Sequence, residues 1–188
     1  MKLILTRHGK TIENELGIVQ GHLPGILSEE GLKQVNSLAQ RFKNEKIDYI
    51  YSSSLARALD TAKTIAYFHP KVKFIETKEL WEVNHGEATG KKPKDFNFEN
   101  RTDKFENDEA LCKRAKNFID KLILKHKSGN ILLVGHNNIN QALMIALQGK
   151  SHMDFSYNND QKNTAVNIYE INNGKIEEIL TNCAKHLL

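Results

Sequence analysis

A chain of 188 residues, 39% hydrophobic and 27% charged, has the balance of a folded globular protein with one sizeable core and little room for a second. Its 27 Lys and Arg against 23 Asp and Glu leave a net charge of +4, too little imbalance for disorder and too little basicity to indicate a nucleic-acid partner. No apolar run approaches the roughly 20 residues of a membrane helix, and the apolar stretch in MKLILTRHGK is too short for a signal peptide, so no membrane association is expected.

In chain order, residues 2–6 (KLILT) form the first buried-strand pattern. Ser28 is placed to cap a helix that opens with Glu29 and Glu30 and carries Leu32, Val35, Leu38, Ala39 and Phe42 on one face. A strand follows at 47–51 (IDYIY), then a helix from a Ser54 cap through Phe68, stopped by Pro70. Residues 72–75 (VKFI) read as a strand. The stretch 91–109 (KKPKDFNFENRTDKFENDE) is polar and aperiodic, a surface excursion of the kind that often carries function. A helix over about 108–127 presents Leu111, Ala115, Phe118, Leu122 and Ile123, and Gly129 follows it. Residues 131–134 (ILLV) form a strand, and a helix after His136 runs through 141–147 to Gly149. Residues 166–171 and 176–180 flank Asn173-Gly174, a hairpin signal. Strands alternating with helices predict a three-layer α/β/α sandwich, with a mostly parallel central sheet and an antiparallel C-terminal hairpin or edge strand, in a single domain over 1–188. Cys112 and Cys183 have no metal-ligand spacing, and a reducing cytoplasm is the simplest setting.

Two of these strands end alike. The first runs into Arg7-His8-Gly9 and the one at 131–134 into Gly135-His136-Asn137, so each histidine reaches the ligand-binding edge of a parallel sheet. A lone histidine is usually a surface or hydrogen-bonded core residue; two at matching strand ends, one preceded by arginine, point to a site. Arg57 falls in the first turn of a helix, where a cation opposes the helix dipole unless an anion is bound nearby. Together Arg7 and Arg57 have the fork geometry to clamp a phosphate.

These residues also carry a resemblance. Arg7-His8-Gly9-Lys10-Thr11 resembles the RHG-x-T signature of the histidine phosphatase superfamily, which contains the cofactor-dependent phosphoglycerate mutases. Asn14, Gln20-Gly21, LSEEG at 27–31, SSLARALDTA at 53–62, Leu80-Trp81-Glu82 with Gly86 and Gly90, and Val134-Gly135-His136 follow in the family's order. Ser54 stands where the family usually has Asp and is expected to keep the helix cap. Lys10 replaces a more common Glu or Gln and is expected to add positive charge near the pocket.

The resemblance implies His8 as the nucleophile that becomes phosphohistidine. Arg7, Arg57 and a protonated His136 would meet the phosphoryl charge, and Glu82 would be the general acid, preferred over its neighbours Glu79 and Glu87. Thr11, Asn14, Gln20, Gly21 and Asn137 complete the implied phosphate- or substrate-binding set. No metal or cofactor is called for, and His22, His69, His85, His126, His152 and His186 lack ligand spacing. Val83 after Glu82, and a short interval to His136 without paired arginines, resemble the small phosphomonoesterases more than the mutases. The expected substrate is a small phosphorylated metabolite. Mutase-type phosphoryl transfer and a phosphoprotein or phosphohistidine regulator acting by binding are the alternatives. Lys91, Lys92, Lys94 and Arg101 are candidates for a second anionic group, though a solvated surface run explains them as well.

Overall fold

The computed structural model describes every residue except 101, 103, 158 and 159. Six strands form one sheet: β1 (Lys2–Arg7), β2 (Tyr49–Ser53), β3 (Lys73–Thr77), β4 (Asn130–Gly135), β5 (Val166–Asn172) and β6 (Lys175–Cys183), in the order β3-β2-β4-β1-β5-β6. The pairs β3–β2, β2–β4 and β4–β1 are parallel; β5 runs antiparallel to both β1 and β6. The hairpin between β5 and β6 turns at Asn173 and Gly174, with φ of 51° and 79°, the left-handed pair that an Asn-Gly turn supplies.

Both faces of the sheet are covered, which explains why β1 and β4 read as unbroken apolar runs. Leu3, Leu5, Ile131 and Leu133 face α4 (Asp108–Lys125) and α5 (Asn137–Leu147). Ile4, Leu132 and Val134 face α2 (Glu29–Phe42) and α3 (Ala56–Ala66). The expected three layers are present. Among the described residues no helix is long and apolar enough to cross a membrane.

Local chemistry sets the helix ends, not always as the sequence suggested. Ser28 caps α2, its Oγ accepting from Gly31 N at 3.2 Å. The buried stripe of α2 is Gly31, Val35, Leu38, Ala39 and Phe42; Leu32, one residue and about 100° past Gly31, is exposed instead of joining the apolar face. Gly31 is required by close approach: a Cβ there would lie 1.9 Å from the Lys10 carbonyl oxygen, where the loop after β1 crosses the helix. Ser54 does not cap α3. That helix begins at Ala56 behind Leu55, and Ser54 Oγ accepts instead from Trp81 Nε1 at 2.7 Å. α3 ends at Ala66, short of Phe68, and α4 at Lys125. The short helix α1 (Ile12–Leu16) has no apolar period to announce it and rests on a Thr11–Asn14 capping box. The excursion at 91–109 contains two 3₁₀ turns, Pro93–Asp95 and Phe98–Asn100, with Phe98 ringed by Phe96 and Phe105.

Candidate phosphate-transfer site

Parallel pairing of β1 with β4 puts Arg7 opposite Gly135, so the two strand ends deliver His8 and His136 side by side. Their ring centroids lie 5.2 Å apart and both side chains are buried. His8 Nδ1 is 2.7 Å from the Gly9 carbonyl oxygen, and Arg57 Nε donates to His8 Nε2 at 3.3 Å. A carbonyl only accepts and a guanidinium only donates, so Nδ1 carries the proton and Nε2 presents its lone pair. Burial, then the charges of Arg57 and Arg7, holds the His8 pKa well below its ordinary value. The ring is a neutral imidazole with a free basic nitrogen at pH 7.

His136 was expected to be protonated, and its surroundings work against that charge. Burial first, then Arg57, His8 and Arg7, keeps its pKa well below the usual value. Its Nε2 lies 2.8 Å from Ser53 Oγ, a hydroxyl that already accepts from Leu55 N. In the tautomer in which Ser53 donates to Nε2 the proton is on Nδ1, and that nitrogen is buried with no partner among the described residues. Arg7 Nε is unpartnered in the same way. Two buried donors without acceptors, one at each strand end, suit an oxyanion.

Arg57, near the start of α3, is 1% exposed. Its Nη1 donates to the Leu23 carbonyl at 2.5 Å and its Nη2 to the Gly21 carbonyl at 3.0 Å, tying down the loop ahead of α2. Burial lowers its pKa to about 10, which still leaves it charged at neutral pH. Thr61, one turn along α3, accepts from Gly9 N at 3.1 Å and donates to the Arg57 carbonyl at 2.8 Å, joining helix and loop.

Glu82 is buried at the N-terminus of α5. Its Oε1 accepts from Val83 N and Ile139 N, at 3.0 and 3.1 Å, and its Oε2 from Asn138 N at 3.2 Å. The carboxylate therefore sits against the positive end of the helix that begins directly after His136. Arg114 braces the approach to it: Nε and Nη2 grip both Glu106 oxygens at 2.9 and 2.8 Å, while Nη1 donates to the Glu79 and Trp81 carbonyls. Trp81, the residue before Glu82, lines a cleft of about 370 Å³ together with His22, Lys78, Asn84 and Lys104 among others. His22 Nε2 lies 2.9 Å from the Glu82 carbonyl oxygen.

The other implied residues are placed less uniformly. Asn14 spends its carboxamide oxygen on Thr11 N and Oγ1, which leaves its NH2 as a donor, while Thr11 Oγ1 caps α1. Gln20 is buried, its Oε1 without a partner among the described residues, and Gly21 meets Arg57 through its carbonyl. Asn137 Oδ1 accepts from Gln161 N at 2.8 Å. Lys10 turns away to Glu30, 2.6 Å from Nζ, so its charge is paired at the surface instead of added to the pocket. Glu79 faces Lys121 and Glu87 accepts from Thr102 Oγ1. Lys91, Lys92 and Lys94 are exposed, and Arg101 lies outside the described residues. Sequence reasoning did not find Asp160, Gln161, Asn163 and Thr164. Asn163 Nδ2 and Thr164 N donate to the His8 carbonyl, from a loop with no motif of its own.

The sequence profile of the histidine phosphatase superfamily (branch 1) matches residues 3–184. The chain belongs to that superfamily. This histidine phosphatase is 34% identical over 163 residues to phosphoserine phosphatase 1 of Hydrogenobacter thermophilus, covering 79% of this chain and 77% of the relative. It is 32% identical over 164 residues to the metal-independent phosphoserine phosphatase of Arabidopsis thaliana, covering 78% and 68%. Among solved structures it superposes on a phosphoserine phosphatase mutant of Entamoeba histolytica in complex with phosphoserine, with TM-score 0.84, 25% identity and coverage of 100% and 99%.

Proposed function

We propose that this histidine phosphatase hydrolyses small phosphomonoesters of the O-phosphoserine type through a phosphohistidine on His8, without a metal ion. The observation that carries the reading is the His8 ring, with Nδ1 on the Gly9 carbonyl and Nε2 accepting from Arg57, packed beside His136 at the strand ends where Arg7 Nε and His136 Nδ1 are buried without partners among the described residues. In the first step Nε2 attacks phosphorus and the bond to the ester oxygen breaks. Arg57 Nε, whose 3.3 Å contact to Nε2 is long, passes from the nitrogen to a phosphoryl oxygen. Arg7 Nε and His136 Nδ1 take up the remaining negative charge.

The ester oxygen leaves as an alcohol, for which Glu82 supplies the proton. Glu82 enters this step as the carboxylic acid and leaves it as the carboxylate. In the second step the ionised Glu82 takes a proton from water, which attacks the phosphohistidine and returns His8 to the neutral state. Lys78 and Lys104, in the cleft lined by His22 and by Trp81, the residue before Glu82, would offer positive charge to a carboxylate on the substrate. Mutase-type transfer is the weaker reading, because the Arg114 guanidinium is already consumed by Glu106 and two backbone carbonyls.

The test is turnover of O-phosphoserine and a panel of phosphorylated metabolites in the presence of EDTA. Hydrolysis unaffected by the chelator is expected. Activity that vanishes with EDTA and returns with a divalent ion would overturn the proposal.

A further inference from the structure

The chain between α5 and β5 returns to the first strand end and holds it. Arg7 Nη1 donates to Asp160 Oδ1 at 2.8 Å and also to the Gln161 carbonyl. Gln161 is itself fixed, donating from its N to Asn137 Oδ1 at 2.8 Å and accepting at its side-chain oxygen from Asn140 Nδ2 at 2.9 Å. The contact on Arg7 therefore comes from a segment anchored to α5. Asp160 stands on the solvent side of the pair, its side chain 77% exposed against 11% for Arg7.

A guanidinium can grip a phosphoryl group in bidentate fashion along one of two edges, Nη1/Nη2 or Nε/Nη2. At Arg7 the first edge is spoken for, because Nη1 is already donating twice. On the second edge Nε is buried and has no acceptor among the described residues. We propose that Asp160 is a positioning residue for Arg7, holding Nη1 outward so that the Nε/Nη2 edge faces the transferring phosphoryl group. This rests on the functional reading above, in which Arg7 meets phosphate. Asp160 is itself largely exposed and keeps its hydration without the pair, and the Gln161 carbonyl still accepts from Arg7 Nη1, so the effect of losing Asp160 belongs in the chemistry more than in the fold.

The test compares Asp160→Ala and Asp160→Asn in the wild type and in an Arg7→Lys background, by steady-state turnover and by orthovanadate binding. In the wild type, Asp160→Ala should lower kcat about tenfold, part of the 10²–10³-fold expected for losing a whole transition-state donor, and should weaken vanadate to a similar degree. Asp160→Asn keeps an oxygen for Nη1 and should stay within about threefold of wild type. A lysine has no edge to orient, so Asp160→Ala should cost less than about twofold more in the Arg7→Lys background. Equal losses in both backgrounds, or no loss in the wild type, would overturn the assignment. Vanadate binding reads the Asp160 effect without turnover. A wild type that shows the vanadate effect but no turnover abolished by His8→Ala contradicts the hydrolase reading while upholding the role of Asp160.

Discussion

Replacing Arg57 with Ala separates catalysis from stability at this site. The change removes hydrogen bonds from a charged donor to the Gly21 and Leu23 carbonyls, each of a kind that contributes about 1.5–3 kcal/mol. It also relieves an unfavourable burial. A pKa lowered to about 10 means the folded environment disfavours the charged guanidinium by about 3 kcal/mol. The two effects largely offset each other, so Arg57→Ala should shift unfolding stability by no more than about 2–3 kcal/mol. Turnover is different, because among the described residues Arg57 alone donates to His8 Nε2; kcat should fall about 10²–10³-fold. Arg57→Lys restores a charge but not the three separately aimed donors, and should recover only part of the loss. Steady-state kinetics alongside urea denaturation decide the matter. A rise in KM with kcat unchanged would mean Arg57 binds ground state and transition state alike. A kcat loss below about tenfold would refute its place beside the reacting phosphorus.

The remaining predictions concern the acid, the histidines and the surface lysines. Glu82→Gln should lower kcat on O-phosphoserine about 10²–10⁴-fold but reduce p-nitrophenyl phosphate hydrolysis far less, since that leaving group needs no proton; equal losses on both would rule out proton donation. His8 and His136 have folded-state pKa values well below those of the unfolded chain, so the unfolded state binds more protons in acid and stability must fall as pH drops below about 6.5. The slope should approach about 1.4 kcal/mol per pH unit for each histidine, and His136→Gln should flatten it in pH-dependent denaturant melts. A slope unchanged by that substitution would mean His136 is charged in the folded protein. Lys92→Ala, on the exposed excursion, should change turnover of p-nitrophenyl phosphate by less than about threefold.

Much of the scaffold was legible because its signals are local. The apolar runs of β1 and β4 and the Asn-Gly turn each announce themselves within a few residues. His8 and His136 could be paired because parallel strands place their carboxyl ends together. What escaped depends on tertiary contact. Ser54 has the chemistry of a cap, yet Trp81, 27 positions away, claims its hydroxyl. The charge state of His136 follows from burial beside Arg57, which no motif encodes. Asp160 meets Arg7 across 153 positions of chain through a loop without periodicity. Glu82 could be named from its surroundings in sequence, but its seat on three backbone N–H groups depends on where α5 starts.

The central claim is that the phosphoryl group passes through His8 Nε2, and chemical trapping of the phosphoenzyme tests it most directly. Wild-type protein quenched during turnover of ³²P-labelled substrate should carry an acid-labile, base-stable label that maps to His8 and is absent from His8→Ala. Label on a serine or aspartate, or an equal yield in the His8→Ala protein, would contradict the account.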